Sequence, residues 1–158
     1  MDGEGAAAES TAPVMLGREV SLQAVTENIA RTPHAALMFS GGVQQERERG
    51  TKSMSSGFRK MVWKDVWLEL KETQVQLWKT SEREKSHGIV ALRSVIECTA
   101  GQGAETGPTF TLKYSTGGGG TTTWVLKLPT LDMANTWKMA VMHNKSVMPT
   151  DSTWRTGG

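Results

Sequence analysis

The sequence predicts a mainly β domain that ends in one amphipathic helix. Seven short segments rich in β-branched and aromatic residues follow one another, and a helical period replaces them after Pro129. With 158 residues, the chain is long enough for one domain with tails and too short for two ordinary ones. A long antiparallel sheet curls because closure protects its edge strands. We therefore expect a seven-stranded, partly open antiparallel barrel, capped by the C-terminal α-helix and preceded by an extra N-terminal helix.

Both ends of the chain differ in composition from the segment between them. Residues 1–17 are rich in Gly, Ala and Glu, which is typical of a disordered tail. Residues 18–33 have apolar residues at near-helical spacing and end at Thr32-Pro33, so they predict a short helix that docks on the domain or awaits a partner. The domain itself is expected over residues 34–145, with a flexible tail over 146–158. The apolar residues of the helix are Val20, Leu22, Val25 and Ile29.

The first three strands are predicted from alternation and turn residues. "HAALMFSGG" is expected to end at the pair Gly41-Gly42, and residues 43–59 are polar without a period, which predicts a long loop. "MVWKDVWLEL" alternates between an apolar face and a face that includes Trp63 and Trp67. After the turn-like "KET", "QVQLWK" predicts the second strand of a hairpin.

Four further strands are predicted before the helix. "GIVAL" and "SVIEC" come first, and "TFTLKY" and "TTTWVLKL" follow as a pair joined by "STGGGG". The four glycines lack the Lys-Ser/Thr pair and the helix that follow a phosphate-binding loop. We therefore interpret "STGGGG" as a flexible hairpin connector.

The C-terminal helix is expected to start at Pro129 and Thr130. At a helical period, one side carries an apolar stripe and the other side is polar. Trp137 lies in the middle of the stripe, and we interpret it as a plug that holds the fold closed. The stripe consists of Met133, Ala134, Trp137, Ala140 and Val141, and the opposite side carries Asp132, Thr136 and His143.

Four stretches of the chain resemble the pleckstrin homology (PH) family, and they occur in the family's order. "WKDVWLELKETQVQLWK" resembles its second and third strands, and "HGIVALRSVIEC", with Gly88 and Leu92 at Gly-x-x-x-Leu spacing, resembles its fourth and fifth. "FTLKY" is similar to the sixth strand. "WVLKLPTLDMANTWKMAV" resembles the seventh strand and the helix, with Trp137 at the family's characteristic Trp. The resemblance covers roughly residues 35–144, and it implies a non-catalytic module that binds phosphoinositide headgroups, proteins or both.

Basic residues between the first two strands are candidates for contact with an acidic ligand. For a lipid-binding member, the resemblance implies Lys/Arg-x-Arg at the start of the second strand. Lys64 matches its first position, but Val66 occupies the Arg position and Asp65 adds an acid. A basic loop attracts acidic phospholipids by about 1 kcal/mol per basic residue, which favours weak membrane contact; a merely solvated loop is the alternative. The candidates are Arg47, Arg49, Lys52, Arg59, Lys60 and Lys64.

Trp63 and Trp67 are the candidate partner-binding residues. They share the non-core face of one strand, and Trp is favoured at protein interfaces. The alternative is that the N-terminal helix covers one or both. Because the phosphoinositide pattern is broken at Val66, we expect a PH-type adaptor or targeting module that recognises a protein or peptide. Phosphoinositide binding is the alternative, and single-stranded nucleic acid ranks third because the formal charge is only +2.

No pattern in the sequence predicts catalysis, a cofactor or a metal site. The three histidines are scattered, and none lies beside Cys98, the only cysteine, or beside an obvious Ser–acid pair. Paired Cys/His spacing for a metal is absent from the sequence. There is no apolar run long enough to span a bilayer and no secretory signal pattern. We therefore expect a soluble cytoplasmic protein, with peripheral contact to membranes or the cytoskeleton left open.

Overall fold

The computed structural model describes residues 12–17, 20–48, 61–104 and 107–148. These residues form eight strands and two α-helices, with one 3-10 turn at Leu92–Ser94. The strands are β1 (Val14–Met15), β2 (Leu37–Glu48), β3 (Met61–Leu70), β4 (Gln74–Trp78), β5 (Ser86–Ala91), β6 (Val95–Gly103), β7 (Gly107–Ser115) and β8 (Thr121–Lys127), and the helices are α1 (Leu22–Arg31) and α2 (Leu131–Val147).

Seven of the strands form one path of neighbours in the order β5-β4-β3-β2-β8-β7-β6. β2 pairs with β3 from Phe39 to Glu48, whereas it meets β8 only at Gln44 and Gln45. The two ends of the path, β5 and β6, do not pair with each other, so the barrel is partly open. Antiparallel pairing along this path, the open side and the C-terminal helix confirm the mainly β, PH-like fold that the sequence predicts.

The eighth strand corrects the expectation that residues 1–17 form a disordered tail, as far as residues 12–17 are described. Val14 and Met15 pair in parallel with Leu37 and Met38 at the start of β2. The amide of Leu16 also donates to the carbonyl of Met38 at 2.9 Å. A strand this short shows no hydrophobic period; pairing with the edge of β2 and the packing of Val14 and Leu16 on the core hold it in place.

β2 corrects a second expectation, because it continues through Gly41-Gly42 as far as Glu48. Both glycines pair with β3, Gly42 opposite Trp67. A Cβ atom at Gly42 would lie 3.5 Å from Trp67 Cζ3, so the indole lies close against the glycine backbone. These glycines therefore accommodate a large neighbouring ring rather than ending the strand. The rest of the predicted loop, residues 49–59, lies outside the described residues.

α1 docks on α2, which answers whether the N-terminal helix packs on the domain. Ser21 caps α1, since its Oγ accepts a hydrogen bond from the amide of Ala24 at 3.1 Å. Val25 faces α2 and is fully buried. The hydroxyl of Thr26 lies 3.4 Å from Met139 Sδ, which links the two helices. The predicted stop is also observed, since α1 ends at Arg31.

α2 covers one end of the barrel with the predicted stripe. It begins after Thr130, whose Oγ1 accepts from the amide of Met133 at 3.1 Å. Trp137 is 1% exposed, and its ring centroid lies 4.3 Å from that of Phe39 in β2. This placement is the one that a plug requires.

The polar side of α2, opposite the predicted stripe, is also partly buried, so the helix packs on more than one side. Thr136 and His143 are buried, as is Asn144. His143 Nε2 lies 2.7 Å from the carbonyl oxygen of Ala35, so the ring bonds to the segment before β2. α1 and the start of β2 cover this side, and a helix packed on two sides does not show one apolar stripe.

Candidate functional site

Three tryptophans lie on the outer face of the sheet. Val66, Leu68 and Leu70 of β3 point into the core. Successive side chains of a strand alternate between faces, so Trp63 and Trp67 point outward, as the sequence predicts. The third is Trp78 of β4, which lies directly opposite Trp67 in the register of the two strands. We call Trp63, Trp67 and Trp78 the outer tryptophan face.

Trp67 lines a groove of about 650 Å³ across this face. The groove extends from the connection after β4 to the connection between β8 and α2. α1, which the sequence offered as a cover for this face, packs on α2 instead. The groove is lined by, among others, Gly42, Trp67, Lys79, Pro108, Lys127 and Pro129, and we call it the Trp67 groove.

The groove exists because the ladder between β2 and β8 stops early. The two strands pair at Gln44 with Lys127, and continuing this register would place Gly42 opposite Pro129. Proline has no N–H to donate to a ladder. The amide of Leu128 instead donates to the carbonyl of Pro108 at 3.1 Å. β8 therefore separates from β2 at this point, and the groove opens between them.

The indole N–H groups of Trp67 and Trp78 have different surroundings. Trp78 Nε1 donates to Glu69 Oε1 at 2.9 Å, and Arg83 pairs with the other oxygen of Glu69 at 3.0 Å. Trp67 Nε1 is buried and has no hydrogen-bond partner within the part of the chain that the structure describes. A buried donor without an acceptor costs about 1–3 kcal/mol. Such a group calls for an explanation.

Two lysines give the groove a positive character. Lys79 is exposed at its rim, and Lys127 holds its ammonium 5.4 Å from the ring centroid of Trp63. Asp65 also lines the groove; it accepts from the neutral amide of Gln44 at 3.1 Å and keeps its negative charge, so it offsets one of the two lysines. The groove therefore combines an aromatic and proline-lined floor with cations at its edge.

The predicted lipid-binding residues are only partly described. Lys64 is exposed and lies opposite Gln45. Lys64 shares its strand face with the buried Val66, so it lies on the inner side of the sheet and away from the Trp67 groove. Arg47 belongs to β2, but its side chain lies outside the described part of the structure. The other four candidates, Arg49, Lys52, Arg59 and Lys60, lie outside the described residues.

The sequence reasoning missed a second tryptophan in the barrel interior. Trp124 of β8 is 7% exposed and stacks edge-on against Tyr114. A Cβ atom at Gly88 of β5 would lie 3.0 Å from Trp124 Cζ2, so the indole reaches across the barrel to a glycine. The backbone at Gly88 has φ +156°, a value that residues with a side chain rarely adopt. The alternation of Trp124 with the buried Leu126 and Leu128 was the signal that could have identified it.

The described residues contain no group of three or more His, Cys, Asp or Glu that could hold a metal ion. Cys98 is buried, and desolvation raises the pKa of its thiol to about 11. The thiol is therefore protonated at neutral pH and is a poor nucleophile. Among the helices described, none is long and apolar enough to cross a membrane.

Comparison with known proteins gives matches only among solved structures. No protein-family model matches the chain, and no curated protein sequence does. The PH domain of Slm1, solved with inositol-4-phosphate, is 17% identical, with a TM-score of 0.45 over 69% of this chain and 93% of that one. The N-terminal PH domain of human ARAP2 is 14% identical, with a TM-score of 0.43 over 69% and 80%.

A third match is the DH/PH unit of PDZ-RhoGEF in complex with activated RhoA. It is 17% identical, with a TM-score of 0.48 over 70% of this chain and 29% of that one. All three solved structures contain PH domains. At these identities the likeness concerns the fold, which the strand order and the C-terminal helix define as PH-like in this chain.

Proposed function

We propose that this protein is a non-catalytic recognition module that binds a protein or peptide partner in the Trp67 groove. The observation that carries the proposal is the buried indole N–H of Trp67, which lacks an acceptor among the described residues and belongs to a groove-lining side chain. Most buried polar groups in proteins are paired, so each exception calls for a structural explanation.

The composition of the Trp67 groove also supports the binding of a protein or peptide there. Trp is the residue type most enriched among interface positions that dominate binding energy. Trp67 and Pro108 give the groove a rigid apolar surface, and Lys79 and Lys127 supply polar groups at its edge. A largely apolar concavity with a few polar groups is the usual form of a binding site.

A phage-displayed library of random linear peptides, selected on the immobilised protein, tests the proposal. We expect enriched peptides that bind the wild-type protein in solution and lose at least about tenfold in affinity with Trp67→Ala. A control variant, Trp78→Phe, keeps a ring opposite Trp67. Circular dichroism and thermal unfolding would verify that each variant is folded. Peptides that bind the Trp67→Ala protein equally well would show that the groove is not the site.

The second candidate function is recruitment to acidic membranes through the basic residues between β2 and β3. Lys64 supports membrane recruitment, because its side chain is exposed to solvent although it lies on the same strand face as the core residues. The match with the Slm1 PH domain solved with inositol-4-phosphate is consistent with this candidate. Against it stands Val66, which is buried in the core at the decisive Arg position.

Liposomes that contain phosphatidylinositol phosphates, titrated at two ionic strengths, test this second candidate. Electrostatic contact predicts binding at low salt that fades at high salt and is lost with a Lys60→Glu, Lys64→Glu double variant. Arg93→Glu, an exposed charge change in the 3-10 turn, is the matched control. Absence of binding at low salt would eliminate membrane recruitment and leave the Trp67 groove as the proposed site.

A further inference from the structure

The backbone of β2 has a free edge at Gly42. Leu16 donates to the carbonyl of Met38, so Met38 turns its backbone groups away from β3. Backbone groups alternate sides along a strand, and Gly42 therefore turns its N–H and C=O the same way. No described strand residue pairs with Gly42 on this side, because the pairing with β8 ends at Gln44 and Pro129 follows in register.

This edge is accessible from the groove. Gly42 is exposed, and it has no side chain that would cover its N–H and C=O. Trp67 lies against one face of the glycine. A free strand edge is the standard site for pairing with an extended peptide, in which main-chain hydrogen bonds give affinity and side-chain pockets give specificity.

The charges beside this edge favour an anion. Lys79 is exposed at the groove, and no carboxylate of the described residues pairs with it. Asp65 also lines the groove, and its hydrogen bond to the neutral amide of Gln44 leaves its negative charge in place, so it offsets only one of the two lysines that line the groove. Lys127 adds a second positive charge at the end of β8.

We infer that the Trp67 groove takes an acidic peptide in an extended conformation. Its backbone pairs with the N–H and C=O of Gly42, an apolar side chain packs on Trp67, and a carboxylate lies near Lys79. The inference rests on the proposed function, since it names the class of partner for the same groove. It adds two requirements that a general apolar groove would not impose, a hydrogen-bonded backbone and a negative charge.

Two experiments with peptides selected from the random library, one with a variant protein and one with modified peptides, test these requirements separately. Selected peptides are expected to contain Asp or Glu beside apolar residues, and Lys79→Glu is expected to weaken them roughly fivefold, more at low salt than at high salt. Arg93→Glu is the matched charge change outside the groove and is expected to have no effect.

An N-methyl scan of the same peptides tests the backbone pairing. N-methylation at the residue opposite Gly42 is expected to weaken binding about tenfold, since it removes a donor and places a methyl group against the strand. N-methylation of either neighbour is expected to have little effect, because those amides point away from β2.

The outcomes separate this inference from the proposed function. Peptides that require Trp67 but tolerate N-methylation at every position, or bind the Lys79→Glu protein unchanged, would overturn the inference and leave the proposed function standing. Failure to enrich any peptide above an uncoated surface would overturn both.

Discussion

The capped end of the barrel and the Trp67 groove differ in how deeply a tryptophan is buried and in whether buried polar groups are hydrogen-bonded. At the capped end, Trp137 is fully enclosed, and the side chain of Asn144 makes hydrogen bonds of 2.8, 2.8 and 3.1 Å to the backbone of Leu37 and Lys71. In the groove, Trp67 is half-buried and its N–H has no partner among the described residues. The hydrogen bonds of Asn144 satisfy buried backbone groups at the capped end, whereas a buried donor without an acceptor costs about 1–3 kcal/mol.

The largest effect is expected at Trp137. Trp137→Ala should lower the free energy of unfolding by about 3–5 kcal/mol, because it leaves a cavity beneath α2. Chemical denaturation measures the change. Met139→Ala on the same helix is the control, since Met139 is 37% exposed and should lose less than about 1 kcal/mol. Similar losses in the two variants would show that Trp137 is not a plug.

Asn144 tests whether the polar groups at the capped end are stabilising. Asn144→Ala should cost about 2–3 kcal/mol, since it leaves the N–H and C=O of Leu37 buried without their partner. Asn135→Ala removes an amide of the same kind from a half-buried position in α2 and should cost less than about 1 kcal/mol. Equal costs would remove the distinction between the capped end and an ordinary helix surface.

The paired tryptophans of the outer face allow a direct comparison. Trp78→Phe loses the hydrogen bond to Glu69, whereas Trp67→Phe removes a donor that has no partner within the described residues. Both variants lose the same volume, so Trp78→Phe should be less stable than Trp67→Phe by about 1.5 kcal/mol. Thermal unfolding of the two proteins measures the difference. If Trp67→Phe were the less stable of the two, its N–H would have an acceptor after all.

The smallest effect concerns Cys98 and appears only at alkaline pH. Burial raises the pKa of its thiol from 9.0 to about 11 in the folded protein. The unfolded chain ionises first, so the stabilising contribution is fully present below pH 9 and is lost as the pH rises towards 11. Stability of wild type and Cys98→Ala, measured across this window, should therefore fall more steeply for wild type. Parallel curves would show that the thiol ionises as freely in the folded protein as in the unfolded one.

Local patterns predicted the elements and the outward face of β3. Alternation in "MVWKDVWLEL" placed Trp63 and Trp67 opposite the core residues, because side-chain direction in a strand depends only on its own period. The start of α2 could also be predicted from the sequence, since Thr130 caps the helix through its own side chain. Resemblance to PH domains supplied the order of the strands.

Predictions failed where a distant segment decides the local structure. Gly41-Gly42 suggested a strand end, but β3 continues to pair with both glycines. Thr136 and His143 were placed on the polar side opposite the stripe, and α1 together with the start of β2 covers that side. Of the groove, only Trp67 was identified in advance. Gly42, Lys79 and Pro129 were not, because no short-range pattern connects them.

The sequence by itself determined which segments are strands and helices, which face of β3 carries tryptophans, and that Trp137 belongs to the buried stripe of α2. These properties depend on residues within a few positions of one another. Only the tertiary structure decided that the pairing of β2 with β8 stops at Gln44 and Lys127, where a continued register would place Pro129 opposite Gly42. That placement depends on the register of two strands about eighty residues apart, which is set by the packing of the whole barrel.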